Sequence, residues 1–63
     1  MPTLRVELFP GRTPEQKQQY MEQVTRLTSD VLKCPLESID VIFIEIEPSD
    51  WAHAGKFYAQ PSS

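Results

Sequence analysis

The stretch of residues 39–46, IDVIFIEI, decides the fold of this 63-residue chain. Side chains of a strand alternate between two faces, and both faces are apolar here: Ile39, Val41 and Phe43 on one, and Ile42, Ile44 and Ile46 on the other. A strand that is apolar on both faces is typical of a parallel sheet, whose two faces are both covered. The stretch therefore predicts a strand with a parallel neighbour elsewhere in the chain.

The sequence before this strand predicts one long helix, from about Pro14 to Lys33. Thr13, Pro14 and Gln16 supply a hydroxyl cap, a proline at the first helical position and a Thr-x-x-Gln capping box. Residues of one face then recur at spacings of three and four, and we expect them to form the core: Tyr20, Met21, Val24, Leu27, Thr28, Val31 and Leu32. Pro35 is expected to end the helix, because proline disfavours the helical conformation in the residue before it.

Residues 3–9 alternate, with Leu4, Val6 and Leu8 on one face, and this alternation predicts a first strand that Pro10 and Gly11 end. Strand, helix and strand make a short βαβ unit with parallel strands and a right-handed crossover. The tail after residue 48 is too short for a second helix, so we expect a C-terminal hairpin or an arm. The predicted fold class is α+β, with residues 1–63 as a single domain.

The small size of the chain indicates an oligomer. A domain of roughly 60 residues buries only about 60% of the surface that its unfolded chain exposes, and small chains add disulfides, metals or partner subunits. One cysteine and one histidine exclude an internal disulfide and a structural zinc site of Cys and His ligands. One helix covers only one face of the sheet. We therefore expect a symmetric homo-oligomer in which another subunit covers the other face.

Charge and hydropathy exclude two classes of partner. The net charge is −3, and the six basic residues are scattered rather than clustered, so we expect no nucleic-acid partner. No apolar run approaches the ~20 residues of a membrane span, so no membrane partner is expected. The start of the chain lacks the pattern of a signal peptide, and we expect the protein to be cytoplasmic.

Three residues are candidates for chemistry. Removal of Met1 would leave Pro2 with a free secondary amine, and an amine whose pKa is lowered by loss of water suits general base catalysis. Arg12 lies just before the predicted helix, where a guanidinium and free N–H groups could hold a carboxylate. Trp51 stands in a polar stretch and could close over an apolar substrate. Each has an alternative interpretation without a catalytic role. Proline is common as the second residue of proteins, Arg12 could simply be solvated, and Trp51 could pack at a subunit interface.

The chain resembles the 4-oxalocrotonate tautomerase family over nearly its whole length. The resemblance rests on the conjunction of several features: Pro2 after Met1, Gly11-Arg12-Thr13 followed by Glu15-Gln16-Lys17, Pro35-Leu36, the apolar strand 41–46, Trp51 and Gly55. It implies a βαβ subunit assembled into a hexamer, as a trimer of dimers, with each active site built across subunits. It also implies that Pro2 moves the proton, that Arg12 binds substrate carboxylate and that Trp51 is the active-site aromatic.

One residue departs from the family pattern. The family's second arginine falls on Asp40, and an aspartate cannot stabilise a developing enolate as an arginine does. Arg5 is the other arginine near the first strand and is a candidate replacement. Cys34 is interpreted as a small buried filler, and His53 as a loop or interface residue. Neither has partners at the spacing of a metal site.

The preferred hypothesis is a cofactor-independent tautomerase. Pro2 would transfer a proton between the 1,3- or 1,5-related positions of a small unsaturated 2-hydroxy or 2-oxo carboxylic acid, with no metal. Because Asp40 would favour a protonated Pro2, an alternative is hydratase chemistry of the dehalogenase or decarboxylase type, with Pro2 as general acid. A third hypothesis is an oligomeric binding module without catalysis, favoured if Met1 stays attached and Pro2 is an amide.

Overall fold

The structure, a computed structural model, describes residues 2–60. Two parallel strands are joined by one long helix, and an antiparallel hairpin follows them, so the predicted fold class is confirmed. The elements are β1 (Thr3–Leu8), α1 (Pro14–Leu32), β2 (Asp40–Glu45), β3 (Ala52–His53) and β4 (Lys56–Phe57), with short 3-10 turns at Leu36–Ser38 and Pro48–Asp50.

The two ends of α1 are set by local hydrogen bonds. At the start, the backbone N–H of Gln16 donates to Thr13 Oγ1 at 3.1 Å, and the backbone N–H of Thr13 donates to Gln16 Oε1 at 2.9 Å. The predicted capping box is therefore present. At the other end, Lys33 adopts the left-handed conformation, with φ of 58°, and its N–H donates to the Ser29 carbonyl. The helix thus ends at Leu32, one residue before the predicted end and ahead of Pro35.

The sheet places its apolar residues in register. Leu4 pairs with Val41 and Val6 pairs with Phe43, and these four side chains are half-buried on the face toward α1. The Phe43 ring meets the Tyr20 ring edge-on, with centroids 6.0 Å apart. Since side chains alternate along a strand, the opposite face carries the side chains of the intervening residues: Thr3, Arg5, Glu7, Asp40, Ile42 and Ile44.

The subunit leaves a large apolar surface uncovered. Tyr20, Leu27 and Val31, predicted as core residues, are 48%, 60% and 65% exposed. A sheet of two strands is too narrow to cover the whole apolar stripe of α1, and the buried side of the helix is centred on Thr28. Ile42 on the outer face of the sheet is also exposed. The prediction that Tyr20, Leu27 and Val31 form the core is therefore wrong for the single subunit, whereas Ile42 lies on the face that another subunit was expected to cover.

The hairpin that follows β2 is fastened to the turn before it. The Tyr58 N–H donates to the Trp51 carbonyl at 3.0 Å, and the Ala59 N–H donates to the Pro48 carbonyl at 3.3 Å. Between β3 and β4, Ala54 and Gly55 both have positive φ, the pattern of a two-residue type I′ turn. Within residues 2–60, no helix has the length and apolar character that crossing a membrane requires.

Candidate active site

Pro2 and Asp40 lie side by side at the amino ends of the two strands. Pro2 is half-buried directly before β1, and its carbonyl accepts a 3.1 Å hydrogen bond from the backbone N–H of Asp40. Thr3 is the register partner of Asp40, so Thr3 and the carboxylate side chain share the outer face of the sheet. The parallel pairing thus puts an acidic residue next to the predicted catalytic residue.

Arg12 borders a groove near the opposite end of β1. The groove has a volume of about 330 Å³ and runs between the start of α1 and the inner face of the sheet. Its walls combine apolar and polar side chains: Val6, Leu8, Tyr20 and Phe43 with Arg12, Gln16 and Lys17. A mostly apolar concavity with a few polar groups is typical of a small-molecule site.

The two cations of this groove differ in their partners. Lys17 Nζ lies 2.5 Å from Glu45 Oε2, an ion pair that joins α1 to the end of β2. Arg12 forms no ion pair with any residue in the described range 2–60. Its guanidinium therefore remains able to bind a carboxylate, with two N–H groups in the fork geometry that suits that group.

Trp51 belongs to an aromatic cluster formed with Phe9, Tyr58 and His53. The Phe9 and Trp51 rings meet edge-on with centroids 4.9 Å apart, and the Phe9 and Tyr58 rings do so at 5.3 Å. His53 lies in β3 and stacks on Tyr58. Sequence reasoning missed Phe9 and Tyr58. Two signals could have identified them: Phe9 continues the outward-facing alternation just after β1, and Tyr58 is an aromatic residue in the tail that was expected to form a hairpin or an arm.

A single subunit does not bring the three predicted site residues together. Pro2 precedes β1 and Arg12 follows it, and a strand of six residues spans about 20 Å at roughly 3.3 Å per residue. Trp51 also lies beyond the far end of the sheet, in contact with Phe9. A site that contains all three side chains therefore needs residues from more than one subunit.

The remaining candidates lie apart from these groups. Arg5 is exposed on the outer face, and its Nε lies 3.6 Å from Glu7 Oε2. Cys34 is half-buried rather than fully buried, with Sγ 4.0 Å from the Thr28 carbonyl oxygen. Among the residues that the structure describes, no group of three or more His, Cys, Asp or Glu side chains is arranged to hold a metal ion.

Comparison with known proteins gives one consistent family. Residues 2–60 match the family described as "Tautomerase enzyme". The chain is 36% identical over 55 residues to a probable tautomerase of Listeria monocytogenes, a match that covers 87% of this chain and 90% of the relative.

The fold is shared with solved structures of the same family. A 4-oxalocrotonate tautomerase homologue has a TM-score of 0.86 and 32% identity to this chain, with 100% of both chains covered. A heterohexamer 4-oxalocrotonate tautomerase from Chloroflexus aurantiacus has a TM-score of 0.86 and 27% identity, with 95% of this chain and 97% of the other covered.

Proposed function

The chain belongs to the tautomerase family, and from that premise we propose that Pro2, once Met1 is removed, is the general base of a keto–enol isomerase. Family membership supports a tautomerase-type activity. The proposal adds the catalytic residue and the substrate class, a small unsaturated 2-hydroxy or 2-oxo carboxylic acid. Residues 1–63 form the single domain that carries this activity.

The position of Pro2 supports its role as a base. An α-amino group has a pKa of about 8 in water, and an amine that loses water has its pKa lowered, since the charged form is disfavoured. Pro2 is already half-buried in one subunit, and further burial by a neighbouring subunit acts in the same direction. A free amine near neutral pH then accepts a proton from the substrate.

The proposed reaction moves one proton within the substrate. The Pro2 nitrogen takes the proton of the 2-hydroxyl group, and the oxygen forms the carbonyl as the electrons of the conjugated system shift. The protonated amine then delivers the proton to carbon 3 or carbon 5. The base is regenerated and no electrons are gained or lost, so the proton transfer needs no oxidant or reductant, and the proposal assigns it to Pro2 without a metal or organic cofactor.

Arg12 and Trp51 are proposed to hold the substrate. Arg12 provides an unpaired guanidinium at an apolar groove, and it binds the carboxylate. Trp51 and Phe9 present edge-on aromatic surface, and they exclude water from the apolar part of the acid. Exclusion of water strengthens the contact between the guanidinium and the carboxylate.

We propose a homo-oligomer as the active form, with a hexamer built as a trimer of dimers. The separation of Pro2 from Arg12 along β1 and the exposed stripe of Tyr20, Leu27 and Val31 support this assembly. The relative from Chloroflexus aurantiacus is itself a heterohexamer. We place the assembly in the cytoplasm.

Asp40 motivates a second candidate function. A carboxylate beside the Pro2 amine favours the protonated form and raises its pKa. A protonated Pro2 would serve as a general acid while a carboxylate activates water, which is the chemistry of a hydratase of the dehalogenase or decarboxylase type. The observation that favours this alternative is the placement of Asp40, whose backbone pairs with Pro2 at the same end of the sheet.

One variant and one titration test these proposals. Pro2→Ala should abolish ketonisation of 2-hydroxymuconate and of phenylenolpyruvate, measured by ultraviolet absorbance, and unchanged rates would refute the role of Pro2. The wild-type protein and Pro2→Ala are compared after intact-mass measurement confirms that Met1 has been removed from both. A ¹⁵N NMR titration of the Pro2 nitrogen separates the two functions: a pKa below the ordinary amine value supports the base, and a pKa above it supports the acid.

A further inference from the structure

The groove beside Arg12 carries less available positive charge than its side chains suggest. Both Arg12 and Lys17 line it, but Lys17 is already paired with Glu45. Glu45 ends β2 as the register partner of Leu8, which is itself a groove residue. The strand therefore holds a carboxylate at the side of the groove, and one cation of the two is neutralised.

The contact between Lys17 and Glu45 has the features of a persistent pair. It links helix and strand across 28 positions of sequence, and the two side chains are only 29% and 41% exposed. Exposed ion pairs contribute little, because solvent screens them and both side chains must be ordered. Partial burial reduces that screening, and the β2 backbone fixes the position of Glu45.

Apart from Arg12 and Lys17, the groove offers no cation to a second carboxylate, and its remaining polar side chain, Gln16, is neutral. Val6, Leu8, Tyr20 and Phe43 provide its apolar walls. A carboxylate placed against such walls loses water without gaining a partner, which is costly. At the other end of the sheet, Asp40 adds negative charge beside Pro2. Among the cations of the groove within residues 2–60, the Arg12 guanidinium is therefore the one without a carboxylate partner.

We propose that the enzyme selects monocarboxylates whose remaining part is apolar over dicarboxylates, and that Glu45 sets this selectivity by holding Lys17. The inference rests on the proposed function, because it assigns the groove of Arg12 to the substrate. Glu45 is a positioning residue that acts through Lys17. Replacing its carboxylate releases Lys17 to bind a second carboxylate of the substrate.

The test compares two acids that differ at one end. Hexanoate and adipate have the same number of carbons, and adipate carries a carboxylate where hexanoate has a methyl group. Their dissociation constants are measured by NMR titration of the assembled protein, a readout that does not depend on turnover. We expect hexanoate to bind about tenfold more tightly than adipate, which corresponds to about 1.4 kcal/mol.

Substitution of Glu45 should change this preference through Lys17. In Glu45→Gln the ratio of adipate to hexanoate affinity should rise roughly three- to tenfold, as expected for one added charge contact in a partly exposed site. The double variant Lys17→Gln/Glu45→Gln should lose that gain. Glu22→Gln removes the same charge from an exposed helix position and should leave the ratio unchanged.

The outcomes separate this inference from the proposed function. Equal binding of the two acids by the wild-type protein, or a ratio unmoved by Glu45→Gln, would overturn the selectivity proposal while Pro2-dependent activity remained. A gain that persists in the double variant would overturn the role of Lys17. If the ion pair had only a structural role, its loss would weaken the binding of both acids to the same extent. A change in the ratio of their affinities is therefore specific to the proposed mechanism.

Discussion

The backbone N–H of Asp40 donates a 3.1 Å hydrogen bond to the carbonyl oxygen of Pro2, so the first residue of β2 lies beside the proposed catalytic residue. The bond belongs to the parallel ladder and does not depend on the Asp40 side chain. Substitutions of that side chain can therefore change the charge next to Pro2 while the backbone pairing is kept.

Asp40→Asn should shift the pH dependence of catalysis to lower pH. A neighbouring carboxylate stabilises the ammonium form of Pro2 and raises the amine pKa, so its removal lowers that pKa. Since base catalysis needs the free amine, the rising limb of kcat/KM against pH should move in the acid direction. Asp30→Asn, on the exposed surface of α1, is the control. A limb that stays in place or moves to higher pH would contradict the influence of Asp40.

Leu27→Glu should weaken the assembly by about tenfold or more, the effect of roughly 1.4 kcal/mol. Leu27 is 60% exposed within an apolar stripe, and a charge there must be desolvated if another subunit covers the stripe. Sedimentation velocity over a range of protein concentrations measures this change, and activity should fall with it. Gln19→Glu adds the same charge at another exposed helix position. An assembly unaffected by Leu27→Glu would show that this stripe is not an interface.

Thr13→Ala should lower the free energy of unfolding by about 1 kcal/mol per subunit, the usual cost of losing an N-cap oxygen. The variant removes the acceptor for the Gln16 N–H. Chemical denaturation at a fixed protein concentration is the measurement, because the stability of an oligomer depends on concentration. Thr13→Ser keeps the oxygen and should stay close to the wild type. Equal losses in both variants would point to the methyl group instead of the cap.

Ala54→Asn should stabilise the hairpin by roughly 0.5 to 1 kcal/mol, because Asn tolerates the left-handed conformation better than Ala. Ala54 has φ of 53°. Gly55→Ala should act in the opposite direction, since φ there is +81° while a Cβ would meet nothing within 4 Å. Its cost, about 1 kcal/mol, is therefore backbone strain alone. Thermal melts of both variants measure the two effects, and a destabilised Ala54→Asn would contradict the turn assignment.

The parts of the fold that depend on neighbouring residues could be predicted from the sequence. The Thr13–Gln16 capping box needs only two residues of one turn, and it was predicted with both partners. The alternation in residues 39–46 assigned Val41 and Phe43 to one face because the period of a strand is two. The hairpin was predicted less sharply, since Ala54 is an unusual residue for a position with positive φ.

The parts of the site that depend on distant residues could not be predicted in this way. Lys17 and Glu45 meet only because the crossover returns β2 beside the start of α1. Phe9 and Trp51 touch because the hairpin folds back against the end of β1. No local pattern encodes such distances. The exposure of Leu27 in one subunit likewise follows from the width of a two-stranded sheet. The spacing of apolar residues along the helix contains no information about that width.

The length of β1 has a consequence beyond the single polypeptide. The six residues of β1 and the three that follow it separate Pro2 from Arg12, so under the proposed function each chain contributes its amine to one site and its guanidinium to another. After duplication of the gene, one copy could lose the proline and the other the arginine, and a mixed assembly would still contain working sites. Co-expression of two such inactive mutants should therefore restore part of the turnover that neither shows alone.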